Sequence, residues 1–177
     1  MNPSQTSKIQ DQTIQGNVQI AGFKADIRDF NGIMEELKDL NRGCVVQLMD
    51  ADGVAGREHV MHAVTHAGNA FARGENIAKD MGLEICVRTS AQRQISRALD
   101  VLGIREGKMN ICAVAVGCEA DVMEKLGGIL GPRDDEALKP DEEMLKKIYK
   151  VSDLEVETAG SILRVLMEKT ACLILEK

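Results

Sequence analysis

The chain has 177 residues, with 22 Lys and Arg against 28 Asp and Glu and a formal net charge of −6 at pH 7. Hydrophobic residues make up 44%, enough for one well-buried domain, which excludes wholesale disorder. No apolar run approaches the roughly 18 residues needed to span a bilayer, and the polar, Gln-rich start lacks a secretory apolar region, so a soluble cytoplasmic chain is expected.

Residues 1–15 read as a flexible tail and 16–177 as a single domain. Val18 to Phe23 has the pattern of a strand, followed by an amphipathic helix around Ile33, Met34 and Leu37. Cys44–Met49 reads as a second strand. The Asp50-Ala51-Asp52-Gly53 turn then opens a long helix, Gly53 to Arg73. The apolar run Leu83–Val87 reads as a third strand, and Ser90 as the N-cap of a helix over Ala91–Leu102 that Gly103 ends. Met109–Val116 carries no charge and reads as a fourth, central strand. Helical patterns then run from Glu119 onward, broken near Gly131-Pro132 and restarted by Pro140. The expectation is an α/β (α+β) fold: a four-stranded mixed sheet flanked by helices, with a helical C-terminal third.

Cysteines number five, with no CxxC pair, and Cys44, Cys86 and Cys112 lie in apolar stretches, so buried reduced thiols are expected rather than a disulfide framework or a thiolate metal site. Charge is uneven. Residues 53–108 carry 8 basic and 6 acidic groups and all three histidines, while the segments on either side are net acidic. One positive segment in an acidic chain points to an anionic ligand met by one surface.

On a helical wheel, Val60, Ala63, Val64, Ala67 and Phe71 share one face of the Gly53–Arg73 helix, and His59, His62, His66, Asn69 and Arg73 cluster on another. Such a stripe has three readings. It can hold a metal, although Glu58-His59-Val60-Met61-His62 is not the zincin order. It can meet phosphates and sugar hydroxyls. It can be an ordinary solvated face. Beyond it, Gly74 can end the helix in a left-handed residue, with Arg73 and Asn76 beside the turn and Arg88 and Arg93 further on as further donors. In the C-terminal helix, Ser152 to Glu155 forms a capping-box pattern, and the helix is read as continuous to the chain end, roughly 36 Å long. One face of it holds Val156, Ile162, Leu163, Leu166, Thr170, Leu173 and Ile174, and a second apolar line holds Leu154, Val165 and Cys172. Either the protein covers both lines or one seats a partner. Neither a P-loop, a GxGxxG fingerprint nor a GxSxG elbow is present, so nothing announces a catalyst.

Taken in order, Val54-Ala55-Gly56-Arg57-Glu58-His59, Ala72-Arg73-Gly74-Glu75-Asn76-Ile77-Ala78 and Arg93-Gln94-Ile95-Ser96-Arg97-Ala98-Leu99 resemble the small accessory subunit of the KEOPS complex, the PRPK-binding protein (CGI-121) family. The resemblance covers about residues 16–177 and is strongest from 45 to 117. It implies a non-catalytic subunit, a monomer within a hetero-oligomeric complex that installs threonylcarbamoyl on adenosine beside the tRNA anticodon. It further implies binding to the complex's atypical kinase/ATPase through the C-terminal helix and recruitment of tRNA by its 3′ CCA end, with no cofactor. Placed on this chain, the tRNA surface takes His59, His62, Asn69, Arg73, Gly74, Asn76, Arg88 and Arg93, and the kinase surface Leu154, Ile162, Val165, Leu166 and Leu173. With so few aromatics, and with positive charge confined to the middle segment, a compact, salt-sensitive grip on the RNA end is expected. The alternatives are a kinase-binding scaffold without RNA contact, and a metal enzyme built on His59, His62 and His66.

Overall fold

Strand β3, Gly107–Val116, is central, and from Ile111 to Val116 its uncharged sequence is buried on both faces. The structure, a computed structural model, describes residues 17–173 and 175. Strands β1, Val18–Ile27, and β2, Val45–Asp50, flank β3, both antiparallel to it, in the order β1-β3-β2. Val18 and Val45 both oppose Val116, so the two outer strands share one end of the sheet.

Eight helices accompany these strands among the described residues: α1 Phe30–Leu40, α2 Arg57–Arg73, α3 Met81–Ser90, α4 Ile95–Leu102, α5 Val122–Leu130, α6 Glu142–Tyr149, α7 Asp153–Ala159 and α8 Ile162–Cys172. The two-residue period of the strands sorts their side chains. Ile20, Met49, Cys112 and Val114 face α2, α3 and α4, while Phe23, Ile27, Leu48 and Ile111 face α1 and α5. A third core, with Leu145, Val151, Ile162 and Leu166, packs α6 against α8. No described helix is long and apolar enough to cross a membrane.

The expected four-stranded mixed sheet is corrected to three strands, all antiparallel to their neighbours, because Leu83–Val87 lies inside helix α3. Asp80 caps that helix, accepting from the Leu83 N–H at 2.9 Å, and Ala91 closes it in the left-handed region at φ 52°. A helix buried all round lacks an amphipathic signature and reads like a buried strand. Ser90 therefore ends α3 rather than opening the next helix, and α4 starts only at Ile95. Helix α2 also starts later than expected: Ala51–Gly53 form a 3₁₀ turn, and Gly56, at φ 87°, leads into Arg57.

The expected continuous C-terminal helix is two helices. Ser152 and Glu155 do form a reciprocal capping box at the start of α7, but Gly160 ends it at φ 96° and Ser161 caps α8 by accepting from the Arg164 N–H at 3.2 Å. The expectation of unpaired thiols fails at one pair: Cys44, just before β2, and Cys118, just after β3, form a disulfide. Cys86 and Cys112 are buried thiols, each pushed up to about 12 by desolvation, and Cys172 is exposed. The N-terminal tail and Ile174 lie outside the described residues.

Candidate functional site

Helix α2 is anchored by Val60, Ala63, Val64 and Ala67, which are buried, and ends at Gly74 in the left-handed region at φ 68°. Its last two turns form one wall of a cleft of about 240 Å³. Asn69 and Arg73 from α2, Arg88 from α3, Arg93 ahead of α4 and Leu173 after α8 all line it, together with His66, Glu75 and Ile77. Residues spread over a hundred positions thus meet because α3 and α8 pack beside α2.

The guanidiniums differ in how they are held. Arg73 and Arg93 are exposed, and neither forms an ion pair among the described residues; Arg93 donates from Nη1 to the Leu173 carbonyl at 3.2 Å. Arg88 is only 3% exposed and binds the fully buried Glu84 through Nε at 2.8 Å and Nη2 at 2.7 Å. The other Glu84 oxygen accepts the N–H groups of Ile77 and Ala78 at 2.9 and 2.6 Å. Sequence reading passed over Glu84 as a site residue. The signal was present in its i,i+4 relation to Arg88 inside an apolar run, where two charges must satisfy each other.

The histidine stripe divides. His59 is not on the surface at all: it is fully buried, and its Nδ1 accepts from the Ala55 N–H at 3.0 Å. Its Nε2 has no hydrogen-bond partner among the described residues, and desolvation lowers its pKa to about 4 against a smaller upward pull from the Thr89 backbone. His62 and His66 are half-buried with their Nε2 atoms 3.2 Å apart, and desolvation lowers both pKa values. Asn76 turns inward and donates its amide to the Ala78 carbonyl at 2.9 Å. Among the described residues no group of three or more His, Cys, Asp or Glu side chains is placed to hold a metal ion.

A second concavity, about 730 Å³, runs between α7, α8 and the end of α3. The second apolar line read from the sequence converges there, for Leu154, Val165 and Cys172 all line the groove. Leu154 is 70% exposed and α7 buries no residue, whereas Ile162 and Leu166 point into the core. Val165 and Leu173 are buried residues of the groove floor. Leu173 lines both concavities.

Two concavities thus lie on the α+β frame, one lined by guanidiniums and one where Leu154, Val165, Cys172 and Leu173 sit among Glu155, Glu168 and Lys169. The family model described as "Kinase binding protein CGI-121" matches residues 24–173, and the chain belongs to that family. It is 30% identical over 156 residues to the regulatory protein Cgi121 of Methanocaldococcus jannaschii, a match covering 85% of this chain and 98% of that protein. It is also 34% identical over 91 residues to the KEOPS complex subunit Cgi121 of Pyrococcus abyssi, covering 51% of this chain and 53% of that one.

Proposed function

We propose that this protein is a non-catalytic subunit of a KEOPS-type tRNA-modifying complex, binding the complex's kinase through the groove at α7 and α8 and the 3′ CCA end of tRNA through the cleft at Arg73 and Arg93. The family membership and the name of the Pyrococcus relative support the complex and the kinase. The single observation that carries the RNA half is the cleft itself: two exposed guanidiniums and the Asn69 amide converge there in a chain whose net charge is −6. Guanidiniums fork onto phosphate and offer planes on which unpaired bases stack, which suits a single-stranded end where aromatic residues are lacking. His59 and Asn76 support this grip from inside, as parts of the frame.

The apolar groove carries the kinase half. An exposed leucine over a floor of Val165 and Leu173 suits a partner that inserts apolar side chains. Titrating the purified kinase subunit against this chain, in the presence and absence of a short CCA-ended oligonucleotide, tests the two-surface arrangement. Both ligands bound at once is the expected result. Mutual exclusion, or no kinase binding, contradicts it.

A further inference from the structure

Glu84 is fully buried, sits outside every surface considered so far, and yet touches both walls of the cleft. One carboxylate oxygen accepts the Arg88 Nε–H and lies 2.7 Å from its Nη2 in an ion pair, and the other takes the Ile77 and Ala78 N–H groups. Both oxygens are therefore engaged, which is how a buried carboxylate offsets its loss of water. Arg88 is braced at its other end too, since its carbonyl accepts from the Thr170 hydroxyl at 2.7 Å. Turning Arg88 toward a phosphate would strand the Glu84 charge inside the protein, a penalty that a single phosphate contact does not offset.

We propose that Glu84 is a positioning residue of the cleft: it cancels the charge of Arg88 and shapes the 76–78 turn, so that Arg73 and Arg93 alone meet phosphate. This rests on the RNA reading of the cleft. It removes Arg88 from the expected ligand set and gives Ile77, which lines the cleft, a fixed place on its wall.

The test compares E84Q/R88Q with R73Q/R93Q, measuring affinity for a CCA-ended tRNA over a series of salt concentrations. In E84Q/R88Q the glutamine oxygen can still accept the turn N–H groups and the two amides can bond each other. Because these neutral bonds hold the turn less firmly than the charge-assisted ones they replace, affinity should fall roughly fivefold, about what one ordinary hydrogen bond is worth, while the slope of log K against log salt stays as in the wild type. R73Q/R93Q, built on exposed positions, should lose affinity and also flatten the slope by about 0.7 for each phosphate contact removed. A flatter slope in folded E84Q/R88Q overturns the inference, as does unchanged affinity there. Stability gives a readout free of RNA: R88Q alone, which strands the Glu84 charge, should melt several degrees below E84Q/R88Q. Equal melting overturns the charge cancellation even where E84Q/R88Q folds poorly. A wild-type chain that ignores the CCA end refutes the RNA reading instead, and the melting comparison still decides for Glu84.

Discussion

Thr170 in the last helix donates its hydroxyl to the carbonyl of Arg88 at 2.7 Å, across 82 residues of sequence, with both groups buried. The bond ties α8 to α3 at the point where the cleft and the apolar groove share Leu173. Replacing Thr170 with the isosteric valine removes this bond but leaves the Arg88 carbonyl the Ala91 N–H at 3.3 Å, so the cost is about 1 kcal/mol. Chemical denaturation of T170V should register that loss as a lower midpoint at an unchanged slope. A midpoint equal to the wild type would show the bond to be dispensable.

His59 makes stability depend on pH with a defined sign. Its folded-state pKa of about 4 lies below the ordinary 6.5, so the unfolded chain takes up the proton first. The stabilisation is fully present above pH 6.5 and is lost as pH falls toward 4. It amounts to of order 3 kcal/mol. The gap in stability between wild type and H59Q should narrow over that window, because glutamine cannot titrate. A gap independent of pH would place His59 in a solvated or charged setting.

The Cys44–Cys118 bridge closes a loop of sequence separation 74, which constrains the unfolded chain by roughly 4 kcal/mol in the loop-entropy account. Denatured without reductant, the protein should present three free thiols of its five cysteines, and reduction should lower its melting temperature. Five free thiols in the freshly purified protein would contradict the bridge.

Leu154 offers the cleanest probe of the groove, because its side chain is 70% exposed and a substitution there leaves the core untouched. L154D should keep the wild-type melting temperature and weaken kinase binding by about tenfold or more, as expected for an apolar anchor turned into a desolvated charge. Calorimetric titration with the kinase subunit checks it. Undiminished binding would move the interface elsewhere.

The sequence made some of this legible because local chemistry decided it. The uncharged Met109–Val116 run marks the central strand, Gly74 ends α2 in a left-handed turn, and Ser152 with Glu155 forms the capping box. The helical stripe also brought Asn69 and Arg73 together, and Arg88 and Arg93, read as further donors, line the same cleft, whereas Leu173, expected on the other surface, reaches it by packing. Tertiary burial hid the rest. Leu83–Val87 lost its helical signature because every side of α3 is covered, and Glu84 within it looked like a stray charge because its partners are an arginine one turn on and two backbone groups. His59 lies about 40° from Ala63 on the wheel, at the boundary where packing rather than periodicity chooses the side. Gly160 was a mere small residue in an apolar pattern until its positive φ split the last helix. The 74-residue separation of Cys44 and Cys118 left no local mark at all.

The most direct measurement is a polarisation titration of the purified chain against a full-length tRNA and the same tRNA lacking its 3′ CCA. Binding by the Arg73 and Arg93 cleft predicts that removing the three nucleotides weakens affinity by about tenfold or more, equivalent to one or two stacked or phosphate-bonded nucleotides. Equal affinity for the two RNAs would contradict the end-grip and leave the groove at α7 and α8 as the remaining candidate surface.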